Sequence, residues 1–246
     1  MDRMLYVAMT GAKETLNAQA VNNHNLANAS TTGFRAELSA FQSRAVDGSG
    51  YASRVYATQA STGWNNQSGA LLSTGRDLDV AINGDGWIAV QGPDGKEAYT
   101  RAGDLQVDPN GQLTTGTGHP VLGDGGPINV PPYTSIFFAR DGSISVVAQG
   151  QTPDTTSTVD RIKLVKPDDA AIERGSDGLF RMKDGSEAPS DATVSLSSGT
   201  VESSNVNTAD AMVTMIELAR HFEMQVKAIR HAEENAASAA QIMRLG

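Results

Sequence analysis

AMVTMIELARHFEMQVKAIRHAEENAASAAQIM, residues 211–243, is the stretch on which the fold turns. Stepping from Met212 by alternating threes and fours meets Met215, Ala219, Phe222, Val226, Ile229, Glu233, Ala236, Ala240 and Met243. Nine of these ten positions are apolar, and Glu233 is the exception. A 3.5-residue repeat of this kind is a coiled-coil-like seam, one stripe of a long helix that must meet another helix. Arg220/Glu223, Glu223/Lys227 and Arg230/Glu234 stand at helical spacings on or near the other side, each pair worth only about 0.2–0.5 kcal/mol. Asn205, Asn207 and Thr208 offer caps for a helix starting near Thr208 or Ala209. A seam of alanine and methionine buries too little to offset its own ordering, so it needs a partner along its length.

The other end of the chain reads the same way, more weakly. From Asp2 to Asn28 there is no proline and one glycine, Gly11, with Leu5, Met9, Ala12, Leu16 and Leu26 on one seam that Gln19 and Asn23 interrupt. This helix runs into NNHNLANASTTGFRA, residues 22–36, with four asparagines in seven residues. Asn, Gly, Ser and Thr suit a helix end running into a loop, yet the amides begin a full turn before the helix should stop. The two helices would be about 40 and 54 Å long at about 1.5 Å per residue, longer than a β domain of this size can cover. They are expected to associate with each other and with neighbouring copies.

Between them helix periodicity vanishes. LDVAI (78–82), WIAVQ (87–91), EAYTR (97–101), SIFFA (135–139), RIKLV (161–165) and ATVSL (192–196) are short β-rich runs. Asp-Gly occurs seven times in the chain and Asn-Gly twice, at 83 and 110, the dipeptides that supply positive φ in tight hairpin turns. The fold class expected is therefore mainly β: a central antiparallel β domain with long terminal helices, disordered or frayed in the monomer. The boundaries drawn are 1–34 for the N-terminal helix, 35–74 for an extended connecting segment with a hairpin, 75–200 for the β domain and 201–246 for the C-terminal helix.

Composition narrows the function. The chain of 246 residues, 39% hydrophobic, can bury a core. Its net charge of -9 repels nucleic-acid phosphates and anionic membrane surfaces. The absence of cysteine removes disulfides, thiolate nucleophiles and thiolate metal sites. No apolar run of about 18 residues crosses a membrane, and the N-terminus lacks the pattern of a cleaved secretory signal. Asp77 and Asp79 in GRDLDV would share a strand face like a glycosidase pair, but carboxylates in a turn-dense β region are ordinarily turn chemistry. DPNGQ (108–112) lacks the alternating ligands of a calcium loop and reads as a hairpin. The four histidines form no metal-binding spacing, and no G-x-S-x-G elbow or phosphate loop occurs. No catalytic, metal or cofactor-binding residue is assigned.

The order NNHNLANASTTGFRA, then GRDLDVAINGDGWIAV and YTRAGDLQVDPNGQLTTGTGHPVLG, then SSNVNTADAMVTMIELARHFEMQVKAIRHAEENA resembles the bacterial flagellar rod and hook family over nearly the whole chain. The opening MDRMLYVAMTGA and MIELARHFE (215–223) resemble its proximal-rod members, with a distal-rod or hook-type axial protein as the alternative and a carbohydrate-active β enzyme as a remote one. Trp87 is a departure, since such proteins often carry Phe there. The resemblance implies a structural protein without enzymatic activity or cofactor. Its partners would be copies of itself, the neighbouring proximal and distal rod proteins, and the flagellar type III export apparatus. It implies a place in the basal-body rod within the periplasm, reached without a cleaved signal peptide, with terminal helices in the core of a tube around the export channel. There a helix end meets several subunits, and amides satisfy open backbone groups. Asn22, Asn25, Asn28 and Thr32 are expected to make intersubunit or interhelix hydrogen bonds, with Leu26 and Phe34 as apolar anchors. Leu5, Met9, Ala12 and Leu16, and the C-terminal seam from Met212 to Met243 without Glu233, complete the expected assembly interface.

Overall fold

The computed structural model describes residues 3–45, 55–152 and 155–244. Helix α1 (Arg3–Ala27) opens it and helix α2 (Thr208–Arg244) closes it. Eighteen strands lie between them among the described residues, beginning with β1 (Glu37–Ala45) and β2 (Val55–Trp64). They form small sheets in which strand pairings are antiparallel. The chain is mainly β with a helix at each end, as the sequence predicts. Contacts divide it into two compact units: Met1–Ala29, Ala36–Asn65 and Val206–Gly246, and Ser30–Arg35 with Asn66–Asn205.

In the first unit α1 packs against α2 and against both strands of the β1–β2 hairpin. The expected hairpin runs from the pair Glu37↔Trp64 to Ala45↔Val55, with a bulge at Leu38/Ser39; residues 46–54 lie outside the described residues. Asn207 caps α2, its Oδ1 accepting the Ala209 N–H at 3.0 Å while its Nδ2 donates to Asp210 Oδ2 at 2.7 Å. That carboxylate sits in the first turn, where the helix dipole favours it. The start at Thr208 agrees with the capping signals in the sequence.

The second unit is built on hairpins whose turns are the Asp-Gly and Asn-Gly pairs. Gly95, Gly111, Gly142 and Gly178 take φ of 75, 84, 88 and 83° between Trp87–Gln91 and Glu97–Thr100, Leu105–Val107 and Leu113–Thr115, Tyr133–Phe138 and Ser143–Ala148, and Ile172–Arg174 and Phe180–Met182. A five-stranded sheet runs in the order Leu164–Val165, Trp87–Gln91, Glu97–Thr100, Phe180–Met182, Ile172–Arg174. Its core is aliphatic, with Ile88, Val90, Leu105, Leu113, Val121, Ile128 and Ile144 wholly buried. The run RIKLV is not one strand. Ser157–Arg161 belongs to a three-stranded sheet and Leu164–Val165 to the five-stranded one, and the backbone crosses between them through Ile162 N–H to Gly142 O and Lys163 N–H to Leu122 O. Likewise EAYTR ends its strand at Thr100, because Arg101 turns inward.

The turn carboxylates carry a pH dependence. The Arg181 hydrogen bond, joined by the Leu179 N–H, holds Asp177 below its ordinary 3.8, and the Ser143 hydroxyl and N–H do the same for Asp141. A folded value below the unfolded one adds stability above the ordinary range and loses it as pH falls through the folded value. Asp104, pushed up by burial, acts oppositely, but alone among the shifted carboxylates of the described residues. The urea midpoint should therefore stay level down to about pH 5 and fall below about pH 4; a midpoint that rises on acidification would contradict this.

Candidate functional site

The buried face of α2 recurs as a heptad, displaced by one residue from the stripe read from sequence. Ala211, Leu218 and Ala232 are buried, and Met215, Phe222, Gln225 and Ile229 between them are half-buried. Met215, Phe222, Ile229, Ala236 and Met243 belong to both registers. Met212, Ala219 and Glu233 lie on exposed positions and Val226 on a half-buried one. The polar member is thus Gln225 rather than Glu233, and it has room because it lies against Gly11, where an added Cβ would stand 3.0 Å from its Cδ. On α1 the buried positions are Ala8, Ala12, Thr15 and Ala18, with Leu5 half-buried. Small residues let the helices approach closely but bury little apolar area, so the pair is weakly held. Met9 and Leu16, read as seam residues, face outward at 52% and 48% exposure, beside Tyr6.

The helices also differ in length. With 25 residues in α1 and 37 in α2, they span about 38 and 56 Å at about 1.5 Å per residue. They run antiparallel, Gly11 lying against Gln225 and Asn22 against Ala211. Ala232 is the last buried residue of α2, and every residue from 233 to 244 is exposed. The heptad does not stop there: Ala236, Ala239 and Met243 continue the stripe uncovered, with Ala240 beside it and Met243 at 82% exposure. Met212, Val213, Ile216 and Met224 add exposed apolar groups away from α1.

The asparagines are engaged within the chain. Asn22 Nδ2 donates to Ala211 O in the first turn of α2 at 2.8 Å, an interhelix bond. Asn25 clasps Glu37 as a neighbouring strand would, donating to its carbonyl at 2.9 Å and accepting its N–H at 2.8 Å. Asn28 Nδ2 donates back to His24 O at 2.9 Å, the carbonyl that also accepts the Asn28 backbone N–H at 3.2 Å at the end of the helix. Leu26 and Thr32 are half-buried. Asn25→Ala removes both partners of Glu37 and should cost about 1–3 kcal/mol, visible as a lower unfolding temperature and faster exchange of the Glu37 amide; an unchanged amide would refute the clasp.

Phe34 is buried in the β unit, beneath Arg174 whose guanidinium carbon lies 4.6 Å from its ring centre. Beside it lies an ion cluster that the sequence reading missed. Arg35 Nη2 stands 2.8 Å from Glu202 Oε1, and Arg101 Nη1 donates to Glu202 Oε2 at 2.9 Å. The Arg35, Arg101 and Glu202 side chains are 0%, 3% and 1% exposed. Arg101 also donates to Gly84 O at 2.8 Å and lies 5.6 Å over the Trp87 ring. Burial pushes both guanidiniums below their ordinary value against the opposing pull of Glu202. The large ring at Trp87, where the resemblance leads one to expect Phe, therefore forms one wall of this cluster.

The remaining residues weighed for chemistry are separated by the fold. Asp77 is an exposed turn residue and shares no strand face with Asp79, which is buried and accepts the Thr74 hydroxyl at 2.6 Å. Asp108 Oδ1 accepts the N–H of Asn110 at 2.9 Å and of Gln112 at 2.7 Å, the hairpin that DPNGQ predicts. Among the described residues no group of three or more His, Cys, Asp or Glu could hold a metal ion, and no helix is long and apolar enough to cross a membrane.

Comparison with known proteins gives three matching family models. Residues 5–35 match the flagella basal body rod protein model, 81–146 the flagellar hook protein FlgE/F/G D1 domain, and 197–242 the flagellar basal body rod FlgEFG protein C-terminal model. Over the whole of both chains the sequence is 46% identical to the flagellar basal-body rod protein FlgF of Salmonella typhimurium and 45% identical to that of Escherichia coli. FlgG of Buchnera aphidicola is 36% identical over 94% of this chain and 95% of its own.

Proposed function

This chain belongs to the flagellar basal-body rod protein family, and we propose that it is a structural subunit of the proximal rod, the part played by FlgF. The distal-rod alternative has less support, since the FlgG relative is the more distant one. The observation that carries the mechanism is the uncovered run of the α2 stripe beyond Ala232. The row of small and apolar residues on this longer helix beyond Ala232 offers a surface that a neighbouring subunit can cover. Contacts of this head-to-tail kind, which do not close on themselves, propagate a helical array. The partners are therefore copies of this chain and other rod proteins, and torque passes along packed helices. The weak small-residue pairing of α1 and α2 supports a monomer whose helices firm up only at the growing end. No catalytic step is needed for this role.

We place the subunit in the periplasmic rod, delivered by the flagellar export apparatus with its N-terminus uncleaved. Purified basal bodies test both points: the chain should be recovered with the rod, and mass spectrometry should find the peptide MLYVAMTGAK, residues 4–13. Recovery of the chain only outside the basal body would overturn the rod assignment, and a mature chain lacking residues 4–13 would overturn uncleaved export.

A further inference from the structure

The boundary of the β unit is crossed by the backbone after residues 29, 35, 65 and 205, and its ends of those crossings converge on the buried ion cluster. Gly33 N–H donates to Glu202 O at 2.8 Å, Asn205 N–H to Phe34 O at 3.2 Å and Ser203 N–H to Ala70 O at 2.8 Å. Gly69 N–H donates to Glu202 Oε1 at 2.9 Å and Asn205 Nδ2 to Gln67 O at 2.8 Å. Arg35 Nη1 donates to that same Gln67 carbonyl. The packing leaves no slack: a Cβ on Gly33, which holds φ +67, would stand 2.2 Å from the Arg101 carbonyl carbon, and one on Gly69 would stand 1.9 Å from Ser203 O.

We propose that residues 33–35, 67–70 and 202–205 form a single cooperative joint, with Glu202 as its central member, through which every covalent connection of the β unit is fastened. Glu202 is suited to this because its two carboxylate oxygens face different partners. Oε1 lies 2.8 Å from Arg35 Nη2 as an ion pair and accepts the Gly69 N–H, Oε2 accepts from Arg101, and its own carbonyl accepts the Gly33 N–H. Segments up to 169 positions apart in sequence, Gly33 and Glu202, are thereby held by one side chain and its backbone. Withdrawing any segment exposes the charges that the other two bury, so the segments open together or not at all.

Native-state hydrogen exchange on the full-length free chain tests it. The amides of Gly33, Gly69, Ser203 and Asn205 should exchange through one opening, with a common protection and a common denaturant dependence. Glu202→Gln should lower protection of all four by one common factor, about 100-fold. Should that variant fail to fold, Arg35→Lys is the second probe and should shift the same four amides together. Four unrelated exchange rates in the wild type, or a variant that affects Gly69 alone, would overturn the joint. The rod assignment would survive that result, since the measurement is made on the unassembled chain.

Discussion

A chain carrying Phe222→Asp and Ile229→Asp together will not enter the rod, and cells relying on it will not swim, while its β unit unfolds at an unchanged temperature. Both positions lie on the α2 stripe in either register, half-buried on the side that meets α1. Placing two carboxylates there costs on the order of several kcal/mol. The small-residue face of α1 has no cation on its buried positions to neutralise them. The helix pair comes apart, and the surface offered to neighbouring subunits goes with it. His231→Asp, on an exposed position, is the control and should swim. Normal rods built from the double variant would contradict the packing described for α2.

Glu202→Ala should lower the unfolding temperature of the β unit by on the order of 10 °C. The substitution strands two guanidiniums, each at most 3% exposed, with no carboxylate between them. Removing one partner of a buried ion cluster costs about 3–5 kcal/mol, far more than the intact cluster is worth against an apolar replacement. Gly69 N–H loses its acceptor as well. A melting temperature within about 2 °C of wild type would show that water reaches the cluster and that its charges are not confined.

The helices and the antiparallel β region were legible in the sequence because each depends on local signals: a seven-residue repeat, Asp-Gly and Asn-Gly turns, an asparagine cap. The register of the α2 stripe was not. Met212 and Ala219 compete with Ala211 and Leu218 for the same 3.5-residue template, and what decides between them is the face α1 presents, with Gly11 admitting Gln225. Of the asparagines expected to bond between helices or subunits, Asn22 bonds across to α2, whereas Asn25 serves the β1 strand, a partner that spacing along a helix does not reveal. The ion cluster was illegible for a different reason. Arg35, Arg101 and Glu202 are ordinary surface residue types scattered over 167 positions, and only the fold brings them together. Phe34, expected at an assembly interface, is placed inside the β unit by the same tertiary arrangement.

The central claim is that neighbouring subunits cover the apolar faces of the helices that this chain leaves open. Since the chain has no cysteine, single cysteines at Met9, Leu16, Ile216 and Ile242, now 48% to 73% exposed, can be compared for maleimide labelling in the free chain and in purified basal bodies, with Asp124→Cys on the β unit as reference. The account predicts fast labelling of all five in the free chain, and in the rod a loss of at least about tenfold at the helix positions with Asp124 unchanged. Helix cysteines that react as readily in the rod as in solution would contradict it.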